Sequence, residues 1–502
     1  MARHARRFAS TALAAVCMSG MLAACGLNAT KPDQQLFHES APQWYAKAPD
    51  ANTDTTTAVP AETSNSRLAE LSHWWTSWND PTLSALQTYA QQHSHTLAQA
   101  TARITQARAD ASAAGAALWP SLNLTASVTN GRNPQLLQST KQTTSIAGLD
   151  ARWEIDLFGA VSIARSGILA RLNARELEWH DARISLAAEV ANTYINLRHC
   201  EAQTGLQQAT LQSQRLALEL IAQKAAAGFV SPLDLAQQRA VLASAQTQWQ
   251  QQTSDCTIVL KALVVLTAMP EPELRDLLTR SHGQWYGQLP QVRSFTVAAI
   301  PANVLLKRPD LRAALETLIA SASEIGVAEA KRYPSISLLG SINVFGVRVA
   351  GQTVRDNSWS FGPSLDLPLF DAGKRKAAVD SASARYAENL SGFRQQSLVA
   401  VKEVEEALVR LESANQLLLH YQAIDTARTQ ALQSAEAGLR AGSISTLEKE
   451  DALRQQLASQ QQKLQLQRDQ ASAWIALYKA VGGDWSEAAG SPDSPIASNV
   501  QK

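Results

Sequence analysis

The chain has 502 residues, of which 45% are hydrophobic and only 6% aromatic, a length that fits about two to four ordinary domains. Its 45 basic and 44 acidic residues exclude a globally basic nucleic-acid binder, and its Gly and Pro contents exclude a low-complexity or collagen-like chain. Beyond the N-terminal segment no long apolar run occurs, and the best stretch, Ile258 to Leu266, is broken by Lys261, so no membrane-spanning helix is expected.

Residues 1–24 read as a secretory signal: Arg3, Arg6 and Arg7 form a basic start, and Phe8 to Met21 a short apolar core. Leu22-Ala23-Ala24-Cys25 resembles the lipobox of bacterial lipoproteins, whose cysteine thiol receives the lipid. The alternative is an ordinary signal cleavage site beside a chance cysteine. Gly26 stands where an Asp often retains lipoproteins at the inner membrane, which favours sorting to the outer membrane. Acyl chains on Cys25 would anchor the mature protein durably. Cleavage removes three basic residues and no acid, leaving 42 against 44. Residues 25–66, with Pro32, Pro42, Pro49, Pro60 and the run Thr53 to Thr57, read as a lipidated extended linker.

From residue 67 onward the chain is written twice, at an offset of 214 residues. Trp119-Pro120-Ser121-Leu122-Asn123-Leu124 matches Tyr333-Pro334-Ser335-Ile336-Ser337-Leu338, Ala227-Gly228 matches Ala441-Gly442, and Leu233-Asp234 matches Leu447-Glu448. So long a period marks a duplicated half, not a solenoid. The expected organisation is a first repeat over 67–288, a second over 289–490 and a flexible tail over 491–502.

Each repeat has the same order: helix, two strands, a very long helix, a tight turn, a long helix. No proline lies between Pro134 and Pro232 or between Pro368 and Pro492. Ala187, Val190, Tyr194 and Leu197, and likewise Val401, Val404, Leu408 and Leu411, recur at helical spacing and give one packing stripe per helix. The stretch from Gly159 to Ala227 predicts a rod about 105 Å long, which needs neighbours in a coiled-coil-like bundle.

The strands alternate with period two. Leu122, Leu124, Ala126 and Val128 alternate with Ser121, Asn123, Thr125, Ser127 and Thr129; Leu149, Ala151, Trp153, Ile155 and Leu157 alternate with Asp150, Arg152, Glu154 and Asp156. Ile336, Leu338, Ile342 and Val344, and then Trp359, Phe361, Leu365, Leu367 and Leu369, repeat the pattern against Ser335, Ser337, Ser341 and Asn343 and against Ser358, Ser360, Ser364 and Asp366. Such alternation gives one face to lipid and one to water, with Asn130–Ser145 and Gly346–Asn357 as polar loops. A small soluble sheet packed on the helices is the alternative. Trp119 and Tyr333 sit at equivalent strand starts, where an aromatic belt would form. Four strands cannot close a barrel, and an open edge in hydrocarbon would leave backbone groups unpartnered, so spanning strands require an oligomer.

An ordered set of motifs gives this pattern a family. Trp74-Trp75-Thr76-Ser77-Trp78-Asn79-Asp80-Pro81-Thr82-Leu83, Leu305-Leu306-Lys307-Arg308-Pro309-Asp310-Leu311-Arg312, Ile325-Gly326-Val327-Ala328 and Leu477-Tyr478-Lys479-Ala480-Val481-Gly482-Gly483-Asp484-Trp485 follow one another. Together they resemble the TolC-type outer-membrane factors, in their OprM-like and NodT-like lipoprotein branch, with Asp484 where the closing motif usually has glycine. The resemblance implies a mainly α fold with membrane β-structure. Duplicated long-helix hairpins would form a trimeric α-helical barrel continuous with a 12-stranded β-barrel, four strands per protomer. It also implies a passive exit duct in the cell outer membrane with its helical barrel in the periplasm. Its partners would be two further copies of itself, outer-membrane lipid, a periplasmic adaptor (membrane fusion) protein and an inner-membrane pump of the resistance-nodulation-division type. Multidrug or metal efflux is the usual role, and no nucleic acid or cofactor is implied.

The same resemblance makes Gly228, Phe229, Val230 and Ser231, with Gly442, Ser443, Ile444 and Ser445, the periplasmic tips that close the tunnel and meet the adaptor. Some relatives carry an acid beside the second-tip glycine; here Ser443 and Ile444 stand there. Asp425 and Glu436 are candidate gate rings, with plain surface solvation as the alternative. Asp150, Arg152, Glu154, Asp156 and Asp366 would face the lumen and tune ion access. Cys200 and Cys256 lie about 28 residues from the first turn on antiparallel helices, so they meet at one level. In an oxidising compartment they predict a disulfide, two buried thiols being the alternative. No P-loop, G-x-S-x-G, C-x-x-C or H-E-x-x-H motif occurs, and His93 and His95 do not share a helix face, so no catalytic or metal site is expected. A lipid-anchored periplasmic coiled-coil protein without a pore is the rival reading.

Overall fold

The structure, a computed structural model, describes residues 44–46, 71, 74–132, 141–280, 289–290, 292–295, 304–349 and 351–485. The expected signal peptide, the lipidation site Cys25, nearly all of the linker and the tail lie outside the described residues.

Helices α1 (Pro81–His93) and α2 (His95–Ala116) lead into strands β1 (Ser121–Arg132) and β2 (Lys141–Ile155). The long helix α3 (Ala160–Ala226) follows, then α4 (Pro232–Thr267) and the short α5 (Glu271–Arg280). The second half runs α6 (Pro309–Ala330), β3 (Ser335–Val349), β4 (Gln352–Asp366), α7 (Lys374–Arg440) and α8 (Thr446–Ala480). The offset of 214 read from the sequence recurs in the boundaries. It carries the start of β1 onto that of β3, the 67 residues of α3 onto the 67 of α7, and the start of α4 onto that of α8. No single described helix is long and apolar enough to cross a membrane.

Contacts divide the chain into two compact units. The first holds Arg103–Arg175 and Ala313–Phe393, and the second holds Gln34–Ala102, Glu176–Arg312 and the chain from Arg394 on. In the first unit the four strands form one antiparallel sheet in the order β1-β2-β3-β4. Close helix packing supports it: a Cβ on Gly167 would lie 2.9 Å from the Cβ of Ser323, and one on Gly326 would lie 3.2 Å from Ile163. The second unit contains the main core. There Val190, Tyr194 and Leu197 on α3 and Val404, Leu408 and Leu411 on α7 are buried with Leu83, Leu86, Leu263 and Leu477. These are the apolar stripes expected from spacing; each such side chain contributes about 1.5–3 kcal/mol when fully buried.

The strand limits correct the sequence reading. β2 begins at Lys141, β3 continues to Val349 and β4 begins at Gln352, so much of the two expected loops is strand. Thr143, Thr144 and Ser145 lack the apolar alternation, and Val347 and Val349 put it on the face opposite to Ile342 and Val344, but ladder hydrogen bonds sustain pairing through this change of pattern. Leu157, Leu367 and Leu369 fall outside the strands, because β2 ends at Ile155 and β4 at Asp366.

Candidate functional site

The sheet register sorts side chains by face. Antiparallel partners share a face, and Leu124 pairs with Leu149, Leu149 with Ile342 and Ile342 with Trp359. One face therefore collects Leu122, Leu124, Val128, Trp153, Val344 and Phe361, all of them exposed. The other collects Asn123, Asp150 and Ser341, then Ser360, whose hydroxyl lies 2.9 Å from that of Ser341. Asp150, Arg152 and Glu154 share this polar face, and so does Asp366, opposite Ser335 at the end of β4. Asp156 does not belong to the strand: its carboxylate accepts from the backbone N–H groups of Val161 at 3.0 Å and Ser162 at 2.8 Å. A carboxylate suits the positive end of α3, so helix capping replaces the expected lumen position.

Near the sheet, still in the first unit, lies a cavity of about 790 Å³. Arg171, Glu324, Lys331, Tyr333 and Arg385 contribute to its wall. Glu324 accepts from Arg171, and from Arg385 at 2.9 Å. Tyr333 stacks on Phe158 with ring centroids 5.0 Å apart.

The two helical turns are built alike. At the first, the N–H of Phe229 donates to Lys224 O and that of Gly228 to Ala225 O; at the second, Ser443 donates to Gly438 O and Gly442 to Leu439 O. This pattern needs a residue with positive φ, supplied by Gly228 at +80° and Gly442 at +72°. The next helices start on matching capping boxes, Ser231 with Asp234 and Ser445 with Glu448. The turns differ in what they present. Phe229 is 83% exposed at the first, and Ser443 bonds back to Gly438 O at the second.

The candidate gate acids separate. Asp425 is tied to Lys463 on α8 at 2.9 Å, whereas the Glu436 side chain is exposed on α7. The sulfurs of Cys200 and Cys256 form a disulfide linking α3 to α4, with Cα atoms 5.5 Å apart. Gln252 donates to the sulfur of Cys200 at 3.0 Å, and the Thr204 hydroxyl lies 3.3 Å from that of Cys256. His93 stacks on Tyr89 in α1, while His95 begins α2.

In the second unit the motifs that begin at Trp74, Leu305 and Leu477 come together. Trp74 stacks on Tyr478 at 5.0 Å, meets Phe295 edge-on and donates to Arg293 O at 2.8 Å. Arg308 donates to Ala480 O at 3.0 Å and pairs with Asp310 and Glu403. A Cβ on Gly482 would lie 2.6 Å from Lys307 O, so the closing motif needs glycine there. Asp484 pairs with Arg183 at 2.9 Å. The opening, junction and closing motifs thus pack on one another and serve as structural ties.

Asp80 extends this network. It caps α1 through the N–H groups of Thr82 and Leu83 and accepts from the Tyr194 hydroxyl at 2.7 Å. Tyr194 in turn accepts from Arg198, which pairs with Glu201. Two neighbouring groups are shifted in opposite senses. Burial and then Arg183 lower His180 to about 4, while burial and then Asp310 raise Asp181 to about 6. Both shifts follow from desolvation of the charged form. Nothing in the local sequence signalled them.

Comparison with known proteins agrees with this architecture. A family profile described as outer membrane efflux protein matches residues 86–268 and 300–483, one segment in each repeat. The pyoverdine export outer membrane protein OpmQ of Pseudomonas putida is 31% identical, covering 82% of this chain and 88% of that protein. The solvent efflux pump outer membrane protein SrpC of Pseudomonas putida is 30% identical, with coverages of 82% and 87%. The solved structure of the outer-membrane channel OprN superposes with a TM-score of 0.72 at 26% identity, covering 91% of this chain and 99% of that one. The chain therefore belongs to the outer membrane efflux protein family, as a mainly helical outer-membrane channel component of an efflux system with a four-stranded β-sheet.

Proposed function

We propose that three copies of the chain form a passive exit duct, with a shared 12-stranded β-barrel in the outer membrane and a helical barrel in the periplasm. The observation that carries this reading is the exposed apolar face formed by Leu122, Leu124, Leu149, Ile342, Trp359 and Phe361, set against a face that holds Asp150, Arg152, Glu154, Ser341 and Ser360 and turns apolar towards the hairpin loops at Ile146, Phe345 and Val354, with β1 and β4 each paired on one side only. Exposed apolar area of this kind suits lipid, and the two open edges demand closure by other copies. Asp150, Arg152, Glu154 and Asp366 then line the water-filled side and set ion access.

Cys25 carries the lipid, and residues 25–66 connect it to the first repeat. The turns at Gly228–Ser231 and Gly442–Ser445 meet a periplasmic adaptor that couples the duct to an energised inner-membrane pump. The exposed Phe229 and the regular capping support this, since a docking tip needs a rigid turn and an accessible apolar side chain. Glu436, exposed and near the second turn, is the better candidate for a gate ring; Asp425 is held by Lys463 within its own hairpin. The disulfide between Cys200 and Cys256 braces the first hairpin. The chain performs no chemistry on its cargo.

Cell fractionation with native mass measurement tests the proposal. The expected result is a trimer in outer-membrane fractions, released by detergent and labelled by a palmitate analogue at Cys25. A monomer in the aqueous periplasmic fraction would overturn it.

A further inference from the structure

The apolar face of the sheet stops short of the hairpin ends of the strands. On β1, β2 and β3 its last apolar side chains in that direction are Val128, Ala147 and Val344. Beyond them the same face carries Arg132 on β1, Lys141 on β2, Arg348 on β3 and Arg355 on β4, all exposed. The four form an arc across the sheet. Arg132 stands directly opposite Lys141; Lys141 is diagonal to Arg348 through the Thr143–Arg348 pair, and Arg348 is diagonal to Arg355 through the Gly346–Arg355 pair. Opposite and diagonal neighbours lie within reach of long side chains, and like charges so placed repel.

No acid shares this stretch of the face. Asp356, the one acid in these strand ends, stands on the other face, opposite Phe345. None of the four cations has an ion-pair partner among the described residues. Four cations set side by side without an acid call for an external anion. The surface below the arc says which kind. There the side chains are small, and Ala126, Ser145, Ala147, Val344 and Gly346, with Arg355, line an open concavity of about 440 Å³. An anionic headgroup above an apolar chain fits this pair of features.

Resting on the closed trimer described above, we propose that the arc binds the phosphate groups of the phosphorylated glycolipid of the outer leaflet, lipopolysaccharide. In that assembly the hairpin ends face outward, since α2, α3, α6 and α7 all join the sheet at its opposite end. From Ile155 to Ala147 the apolar face runs about 27 Å along β2, close to the height of a barrel's apolar band. The arc therefore begins where hydrocarbon gives way to headgroups. Each arginine offers a phosphate paired N–H donors, and the lysine adds a point charge. An acyl chain of the same lipid lies in the concavity. The bound phosphates offset the repulsion between Arg132 and Lys141.

Native mass measurement of the full-length, membrane-extracted protein, delipidated in detergent and held in EDTA, tests this. Lipid A, the phosphorylated lipid portion of lipopolysaccharide, is expected to bind, and its dephosphorylated form to bind at least about tenfold more weakly. Equal binding of the two forms would overturn the proposal, and this arm needs only the native chain. The quadruple variant Arg132→Gln, Lys141→Gln, Arg348→Gln, Arg355→Gln is expected to lose lipid A binding to the same extent. Arg332→Gln with Lys376→Gln, exposed cations beside the sheet's other end, is expected to retain it. Undiminished binding by the quadruple variant, in a protein that still has trimer mass, would overturn the site while leaving the closed assembly intact. Phosphatidylglycerol or inorganic phosphate competing as well as lipid A would overturn the assignment to the outer-leaflet glycolipid. Monomer mass of the native protein would overturn the assembly itself.

Discussion

The two hairpins, α3 with α4 and α7 with α8, share length, turn geometry and capping, yet they are braced by different chemistry. In the first, Cys200 and Cys256 cross-link the helices. At the equivalent level of the second stand Ala414 and Gln470, and Gln470 donates to Asn415 at 2.7 Å. The first also buries the hydroxyl of Tyr194 against Asp80, where the second buries Leu408. Duplication supplied one scaffold, and the halves then diverged: a disulfide crosses the first hairpin, while the second is crossed by the Gln470–Asn415 amide hydrogen bond and the Lys463–Asp425 ion pair. The covalent link is what distinguishes the first hairpin, and the second is expected to yield more readily to heat and to hydrogen exchange.

The largest effect that would break this contrast is removal of the bridge. Cys200→Ser with Cys256→Ser is expected to cost about 2–4 kcal/mol, read as a lower thermal midpoint in detergent, with reductant reproducing the loss in the native protein. An unchanged midpoint would make the hairpins equivalent. The next effect lies at His180 and Asp181, whose counterparts Arg394 and Gln395 carry no such pair. The lowered His180 contributes stability above pH 6.5 that is lost as pH falls to about 4; the raised Asp181 contributes stability at low pH that is lost as pH rises to about 6. In the native protein the two slopes oppose. Asp181→Asn should leave stability falling on acidification from pH 6.5 to 4, by less than about 3 kcal/mol because solvent screens groups that are only partly buried, and His180→Gln should leave a similar fall from pH 4 to 6. Urea unfolding at pH 4, 5 and 6 reads both, and slopes of the same sign would contradict the assignment.

Tyr194→Phe strips one partner from buried Asp80 and is expected to cost about 1–3 kcal/mol, with little change in helix content by circular dichroism. Gln470→Ala should cost least, about 1 kcal/mol, and should speed hydrogen exchange in the second hairpin more than in the first. Equal acceleration in both would deny that the braces act locally.

Much of the scaffold was legible because it rests on periodicity. The 214-residue offset, the stripes of Val190 and Tyr194 and of Val404 and Leu408, and the long helices all follow from spacing, and the distance of Cys200 and Cys256 from the first turn put them at one level. The strand limits were less legible, since Thr143 and Ser145 extend β2 without apolar alternation. Asp156 looked like one more polar strand residue because alternation does not show where a strand yields to a helix cap. The motif residues Trp74, Asp80, Arg308 and Gly482 were visible but silent. Their partners Tyr478, Tyr194, Ala480 and Lys307 lie far away in sequence, and no local pattern encodes such pairs.

As an outer-membrane channel component, the chain is expected to make a pore. Single-channel recording of the purified protein in planar bilayers tests it most directly. Discrete conductance steps are predicted, with ion selectivity altered by neutralising Asp150 and Glu154 together. A bilayer that stays silent with correctly folded trimer present, including variants opened by substitution at Gly442 and Ser443, would contradict the account.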